Sequence, residues 1–227
     1  MFFFDPVYFF FVMIPMLVLS AGVQLYLSAT FKKWKRVKNS AGEVGPQIAQ
    51  DLFERTSLQA VPIEGTEGKL SDHFDPRKNV VRLSREVAGE PSVASMAIVA
   101  HELGHVQQHQ SRSVLMVARG FLVPAVTVSP MISYGLIFAG LIFNAMGLIW
   151  LGILFFSLVV LFSVLTLPIE IDASRRGIKL LREAGLLQVE ADAHGARAVL
   201  TAAALTYVAA MVTAIVQLLY LIFIARR

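Results

Sequence analysis

Four long runs of apolar residues separate the polar parts of this chain. They cover residues 7–29, 120–143, 147–169 and 199–225. Each run is long enough to cross a hydrocarbon layer of about 30 Å as a helix that rises about 1.5 Å per residue. The pattern therefore predicts a mainly α-helical, polytopic membrane protein with about four transmembrane helices. The second run is the least regular, because Pro124 and Pro130 interrupt it.

The polar segments between the runs predict a small α+β unit. Apolar side chains have helical spacing in residues 43–58, whereas alternation predicts short strands at 60–64, 69–74 and 79–84. Pro91 and Ser92 are typical of a helix start, and the helix is expected to continue to residue 110. If residues 79–87 form an edge strand, we expect them to align an extended peptide by strand addition.

Composition and charge support a membrane location. Hydrophobic residues make up 56% of the chain, against roughly 45–50% in soluble domains, which argues against a soluble fold. Basic residues cluster in KKWKRVK at 32–38 and again in the loop 170–198. Lysine and arginine beside a crossing stay on the cytoplasmic side, so both polar segments are predicted to face the cytoplasm. No basic patch with interleaved aromatic residues indicates nucleic-acid binding, and the absence of cysteine excludes disulfides and thiolate ligands.

Three of the five histidines lie in AIVAHELGHVQQHQ, residues 97–110. His101, Glu102 and His105 spell H-E-x-x-H, a spacing that places both imidazoles on one helix face, where they can share a Zn²⁺ ion. The alternative is that two surface histidines flank a glutamate without binding metal. His109 lies eight residues beyond His101, or about 12 Å along a helix, and is predicted to be a solvated or interfacial residue.

A catalytic zinc site needs a third protein ligand and an open position. The segment LPIEIDASRRG at 167–177 follows the third run on the same predicted side of the membrane and contains two carboxylates, Glu170 and Asp172. Either carboxylate can serve as the ligand, or both can form interfacial ion pairs with the arginines that follow. Asp172 is about 200° around a helix from Glu170, so only one of the two is expected to face the metal.

Such a site predicts hydrolysis of peptide bonds. Zinc lowers the pKa of its bound water and polarises the substrate carbonyl, while Glu102 removes the water proton and later delivers one to the leaving amine. A donor is also needed for the oxyanion of the tetrahedral intermediate. Three residues are candidates for this role: His73, His194 and Tyr207.

In residues 97–110 and 167–177 the chain resembles the YugP family of membrane-bound neutral zinc metallopeptidases. The likeness extends through LSDHFDPRKNVVRLS (70–84), AAALTYVAA (202–210) and the N-terminal DPVYFF. That family resembles HtpX-type and CAAX prenyl proteases, in which the glutamate of an E-x-x-A-D segment is the third ligand. The resemblance implies one catalytic zinc ion held by His101, His105 and Glu170, with Asp172 as the fallback. Ser174 replaces the final aspartate, which would orient a zinc-bound histidine, so that support is expected to be weaker or to come from elsewhere.

The expected function is that of a membrane-embedded, gluzincin-like zinc endopeptidase acting on membrane or membrane-proximal proteins. Its expected location is the bacterial cytoplasmic membrane, with the active site facing the cytoplasm. The expected partners are a peptide or membrane-protein substrate and the lipid bilayer, without nucleic acid; a homo-oligomer or a regulatory membrane partner is left open. The chain divides into an N-terminal anchor (1–31), a cytoplasmic zincin-like unit (32–113), two crossings (114–169), a cytoplasmic segment with the third ligand (170–198) and a C-terminal crossing (199–227).

Three other classes of protein are weighed against the peptidase. The main alternative is a non-proteolytic membrane scaffold or assembly factor with a structural zinc site, but such a site does not need Glu102, which contributes no ligand. A site-2-type intramembrane protease takes its third ligand from an L-D-G-like segment inside a later crossing, and no such segment occurs here. A transporter is disfavoured because the crossings carry almost no charge, with Gln24, Asn144 and Gln217 as the main polar residues.

Overall fold

The computed structural model describes residues 6–226. Its helices are α1 (Pro6–Lys35, with a π-helical turn at Phe9–Met13), α2 (Gly45–Arg55), α3 (Arg85–Gly89), α4 (Val93–Gln110), α5 (Val114–Ile142), α6 (Met146–Glu183) and α7 (Glu190–Ala225). Its strands are β1 (Ile63–Thr66), β2 (His73–Asp75) and β3 (Val80–Ser84). The first five residues of the predicted anchor 1–31 and the last residue of segment 199–227 lie outside the described residues.

Four of these helices coincide with the four apolar runs. Within residues 6–226, α1, α5, α6 and α7 are long and apolar enough to cross a membrane. This confirms the prediction of a mainly α-helical, polytopic membrane protein. Pro124 and Pro130 lie inside α5 without ending it, which membrane helices tolerate when other groups satisfy the freed backbone carbonyls.

The helices α6 and α7 extend well beyond the apolar runs from which they were predicted. α6 continues through Pro168 to Glu183, and α7 already begins at Glu190. The segment 170–198, expected to be a loop, is therefore mostly helical. As a consequence Glu170 lies on the same continuous helix as the third apolar run.

The described residues divide into two compact units. The first, here called the apolar unit, comprises residues 6–24, Val117–Pro168 and 205–226; the second, the polar unit, comprises Leu25–Met116 and Ile169–Ala204. In the apolar unit, α5 and α6 pack closely as an antiparallel pair in which the Ser133 hydroxyl donates to the Gly152 carbonyl at 2.8 Å. The Tyr8 hydroxyl similarly donates to Oε1 of Gln217 at 3.1 Å.

The polar unit contains a three-stranded sheet in the order β1-β3-β2. β1 runs parallel and β2 antiparallel to β3. The expectation that residues 79–87 include an edge strand is therefore wrong, because Val80–Ser84 has a partner on each side and offers no free edge to a peptide. Its central position agrees with the burial of Val81 and Leu83, which pack into the core of this unit.

α4, the helix that carries the H-E-x-x-H motif, lies within the core of the polar unit. It begins as expected at Ser92, whose hydroxyl accepts a hydrogen bond from the Ser95 amide at 3.0 Å. Side chains are buried on nearly all its faces, including Met96, Leu103 and Val106. A helix buried all round must provide partners for every polar side chain it carries, since burying an unpaired polar group is costly.

Candidate metal centre

Close packing of α4 against α6 brings the predicted site residues together. Small residues lie one helical turn apart on each helix: Ala100 and Gly104 on α4, Ala173 and Gly177 on α6. A Cβ atom on Gly104 would overlap the carbonyl oxygen of Ala173, and one on Gly177 would lie 2.5 Å from that of Ala100. The two backbones therefore touch, and residues flanking this contact face each other.

Three of the predicted site residues meet at this crossing. Nε2 of His101 lies 3.3 Å and Nε2 of His105 lies 3.4 Å from Oε2 of Glu170. The three potential ligand atoms all lie within 4.8 Å of one another, and the cluster could hold a metal ion. Ligand atoms bound to a tetrahedral zinc ion at about 2.0–2.1 Å are about 3.3–3.4 Å apart, so the geometry fits such an ion.

Gln108 determines which nitrogen of His105 faces the cluster. Its Nε2 donates to the carbonyl of Ile169 at 2.9 Å and to Oδ2 of Asp172 at 2.7 Å, so its Oε1, 3.0 Å from His105 Nδ1, must act as an acceptor. Nδ1 of His105 therefore carries a proton, so that the ring in its neutral form presents the lone pair of Nε2 to Glu170. Two acceptor atoms that face each other in this way need a cation between them.

Ser174, which stands where the family pattern has an aspartate, contacts the ring of His101 in a similar way. The hydroxyl of Ser174 lies 3.1 Å from Nδ1 of His101. A serine one turn beyond Glu170 thus takes the position from which an aspartate would orient the ring. Of the two expected alternatives, weaker support at this position or support from elsewhere, the Ser174 contact agrees with the first, because a neutral hydroxyl takes the place of a carboxylate.

Glu102 is held beside the cluster by a strand. The residue is only 7% exposed, and its carboxylate accepts a hydrogen bond from the backbone amide of Phe74 at 2.9 Å. Phe74 lies in β2, an edge strand of the sheet, and its amide is directed towards α4 instead of towards β3. This bond orients the carboxylate with respect to the two histidines of α4.

Two further predicted residues lie outside the cluster. Asp172, the fallback ligand, accepts hydrogen bonds from Gln108 and from Nε of Arg176, the latter at 2.7 Å. It thus supports His105 through Gln108 and belongs to an ion pair with an arginine, as its position beside basic residues had suggested. His109 is exposed, as expected, and its ring packs edge-on against Phe74.

The three candidates for the oxyanion role have contacts outside the cluster of His101, His105 and Glu170. The ring of His73 lies near the Ser71 carbonyl and the Arg82 guanidinium. His194 is exposed and packs edge-on against Trp34. Tyr207 belongs to the apolar unit. None of the three is part of the metal-binding group found among residues 6–226.

The electrostatics of the cluster favour a positive charge beside Glu170. Burial lowers the pKa of His105, but hydrogen bonding to Glu170 and the negative charge of Glu102 more than compensate and raise it above its usual value. The same carboxylates that attract a proton to this ring also attract a divalent cation. A metal ion therefore competes with a proton for the same position.

Several residues of this site were missed in the sequence. Gln108 follows His105 by three positions on one helix face, a spacing that could have indicated a hydrogen bond. The pairs Ala100–Gly104 and Ala173–Gly177 are a small-residue pattern that could have indicated the crossing. The role of the Phe74 amide carries no such signal, because any residue type other than proline supplies the same group.

Comparison with known proteins gives an independent view of the chain. Residues 9–226 match the model of a family described as "Putative neutral zinc metallopeptidase". The chain is 35% identical over 216 residues to a protein of Bacillus subtilis (strain 168) named "Putative membrane protease YugP", with 95% of this chain and 96% of that protein covered. No solved structure matches the chain. The chain therefore belongs to the neutral zinc metallopeptidase family that this model describes.

Proposed function

We propose that this protein is a membrane-embedded zinc endopeptidase in which His101, His105 and Glu170 hold the metal. The observation that carries the proposal is the buried meeting of two imidazole nitrogens and a carboxylate oxygen at 3.3 and 3.4 Å. Gln108 and Ser174 contact Nδ1 of the two rings, so Nε2 of each ring is the nitrogen that faces the centre of the cluster. Three protein ligands leave one position of a tetrahedral ion open, as catalysis requires.

Glu102 is the proposed general base and acid of the reaction. When bound, zinc supplies a Lewis acid that polarises the scissile carbonyl and makes water more acidic. The Glu102 carboxylate, oriented by the Phe74 amide, accepts a proton as the water oxygen forms its bond to the carbonyl carbon. It then delivers that proton to the amide nitrogen as the carbon–nitrogen bond breaks, which releases a carboxylic acid and an amine.

The proposed substrates are membrane or membrane-proximal proteins. Support comes from the position of Glu170, which follows the apolar run 147–169 directly on one continuous helix. The ligand cluster therefore lies close along the chain to a segment that crosses the membrane. A peptide bond near the surface of the bilayer is the substrate that such a site would meet most often.

The proposed orientation places the polar unit in the cytoplasm of a bacterial cell. It rests on KKWKRVK at 32–38 and on the basic residues of 170–198, all within the polar unit. Because the chain has no cysteine, a single cysteine at position 36 or 145 would be the only thiol. In intact cells, an impermeant maleimide should label residue 145 and spare residue 36; the reverse pattern would invert the orientation.

The proposed function is tested by replacing Glu102 with glutamine. We expect Glu102→Gln to keep one zinc ion per chain and to lower cleavage of a model membrane protein by about 10²–10⁴-fold, the usual contribution of a general base. Glu54→Gln is a matched control, because Glu54 is an exposed residue of α2 that bonds only locally to Gln50. Unchanged cleavage by Glu102→Gln would exclude Glu102 as the general base, whereas an unchanged cellular phenotype despite lost cleavage would favour a scaffold with a structural metal.

A further inference from the structure

A cavity between α6 and α7 plays no part in the proposed peptidase chemistry. It belongs to the polar unit and has a volume of about 490 Å³, within the range of about 300–1,000 Å³ that small-molecule sites occupy. Three arginines line it: Arg175, Arg182 and Arg197. Three like charges around one concavity repel one another, and an anion bound among them would offset that repulsion.

The three arginines of this cavity, two on α6 and Arg197 on α7, differ from the other basic residues of α6. Arg176 is paired with Asp172 at 2.7 Å and Lys179 with Glu183 at 3.5 Å. By contrast, none of the three cavity arginines forms an ion pair or a side-chain hydrogen bond within residues 6–226. Their guanidinium groups are therefore available to an external anion, and guanidinium groups match phosphate oxygens in geometry.

Apart from Ser174 and Thr201, the rest of the lining is apolar, and it lies beside or within two predicted crossings. Ile171 and Ile178 come from α6, and Leu200 and Ala204 from α7. Ile171 follows the apolar run 147–169 by two positions, whereas Leu200 and Ala204 lie inside the run 199–225. The cavity thus combines a cationic wall with an apolar wall at the point along both helices where the apolar runs meet polar sequence.

We propose that this cavity binds the phosphate headgroup of an anionic phospholipid. Arginines would hold the phosphate, and the apolar side chains would contact the start of the acyl chains. Basic pockets between membrane helices on the cytoplasmic side are a recurrent form of lipid site. A soluble phosphate could also bind the arginines, but it has no acyl chains to contact the apolar side chains.

The cavity lies behind His101 and is therefore distinct from the peptide site. Ser174 lines the cavity, and its hydroxyl contacts Nδ1 of His101 at 3.1 Å. The other ring nitrogen, Nε2, faces Glu170. Because the two nitrogens lie on opposite sides of an imidazole, a peptide carbonyl at the metal position would not reach the arginines directly. The cavity is thus better suited to a resident lipid than to an acidic side chain of the substrate.

The proposal is tested by counting lipids on the purified full-length protein. Protein is reconstituted with phosphatidylcholine containing a small fraction of phosphatidylglycerol, and retained lipids are identified by native mass spectrometry and by extraction. We expect one phosphatidylglycerol per chain in the wild type. The triple variant Arg175→Gln, Arg182→Gln, Arg197→Gln should bind it about a hundredfold more weakly, at about fivefold per arginine.

Matched variants distinguish specific lipid binding in the cavity from general attraction of the basic protein to a charged membrane. Lys32→Gln, Lys33→Gln, Lys179→Gln removes the same charge from exposed positions outside the cavity and should retain the lipid. Thr201→Trp fills the cavity with all three arginines intact and should lose the lipid, which keeps the test valid if the triple variant fails to fold. Loss of lipid from the lysine variant equal to that from the arginine variant would overturn the proposal, as would retention by Thr201→Trp.

A competition experiment separates the two sources of phosphate. Inorganic phosphate is added to the wild-type protein at the same concentration as phosphatidylglycerol. We expect the lipid to remain bound, because the apolar wall contributes to its affinity alone. Displacement of the lipid by inorganic phosphate under these conditions would show that the cavity recognises free phosphate and would overturn the lipid assignment.

Discussion

The apolar and polar units place opposite kinds of side chain on their surfaces and in their interiors. In the apolar unit, large aromatic residues are exposed, such as Phe138 with 66% of its surface accessible. In the polar unit, ionisable and amide groups are buried, such as Glu170 with 2% accessible and Gln108 with none. The first pattern suits a lipid environment, which imposes little specific geometry. The second is stable only if every buried polar atom has a partner.

This difference shows where the chemistry of the molecule lies. The contacts described in the apolar unit are helix packing and a few neutral hydrogen bonds, which serve to hold helices together. The polar unit contains a connected set of His101, His105, Gln108 and Glu170 side chains, which the partly exposed Asp172 contacts through Gln108. A buried network of this kind is costly unless fully satisfied, and a cation at its centre is the partner that completes it.

The largest effect is expected from a charge placed on the exposed surface of the apolar unit. A lysine at the centre of a membrane helix costs about 2.5–3.5 kcal/mol, so Met131→Lys, at an exposed position in the middle of the run 120–143, should sharply reduce the fraction of protein inserted in the membrane. Val189→Lys is the matched change in the polar unit, where Val189 is 45% exposed in the connection between α6 and α7, and should be nearly neutral. For both variants, the inserted fraction of the protein is measured by membrane fractionation and protease protection. Equal insertion of the two variants would remove the distinction between the units.

Glycine substitutions contrast the packing of the two units. Gly104→Ala places a methyl group against the Ala173 backbone and should destabilise the protein by about 1–3 kcal/mol, with loss of bound zinc as α4 and α6 separate. Gly135→Ala, on α5, has open space around the new methyl group and should stabilise the helix by up to about 1 kcal/mol. Thermal unfolding in detergent and metal analysis measure both effects. A fully metallated Gly104→Ala protein would contradict the described crossing.

The support of His105 by Gln108 is tested through zinc affinity. Gln108→Leu removes the acceptor of His105 Nδ1 and should weaken zinc binding about 10–100-fold, the usual cost of losing such a partner. Gln110→Leu changes a neighbouring glutamine whose amide bonds to the backbone of Gln59 instead, and it should keep wild-type affinity. Competition with a chelating dye gives both dissociation constants. An unchanged affinity of Gln108→Leu would mean that the hydrogen bond does not orient the ring.

The pH dependence of zinc binding is the smallest expected effect. The pKa of His105 is raised in the absence of metal, mainly by hydrogen bonding to Glu170 against the opposing effect of burial. Because zinc must displace this proton, affinity should be full above the raised pKa and fall as the pH drops through it, by at most about tenfold per pH unit. The decline should therefore begin above pH of about 6.5, the ordinary pKa of histidine. A titration with the same dye at different pH values measures the midpoint of this decline in zinc affinity. A midpoint below about pH 6.5 would contradict the upward shift of the His105 pKa.

The sequence predicted the features that depend on local pattern. The membrane helices follow from run length, and the start of α4 follows from Pro91 and Ser92, because both signals lie within the segment that they describe. The approach of Glu170 to His101 spans 69 positions along the chain and was expected from the family resemblance, since no local rule specifies it. That expectation was also supported by the reasoning that a third ligand must lie on the same side of the membrane.

The remaining features depend on contacts between distant segments. The order of the three strands could not be read from their alternation, because β3 is central only through its pairing with both β1 and β2. The hydrogen bond from Phe74 to Glu102 arises from the placement of β2 against α4. Its donor is a backbone amide, so it does not require a particular residue type at position 74. The contact between Ser174 and His101 could not be read from the sequence, because it depends on how closely the glycines of α4 and α6 allow the helices to approach.

The central claim is that Glu170, and not its neighbour Asp172, completes the metal site with the two histidines. Metal analysis of purified wild type, Glu170→Gln and Asp172→Asn tests it most directly, because both changes remove one negative charge from the same helix with little change in shape. One zinc ion per chain is expected in the wild type and in Asp172→Asn, with none retained in Glu170→Gln. Full zinc content in Glu170→Gln, together with its loss from Asp172→Asn, would contradict the account.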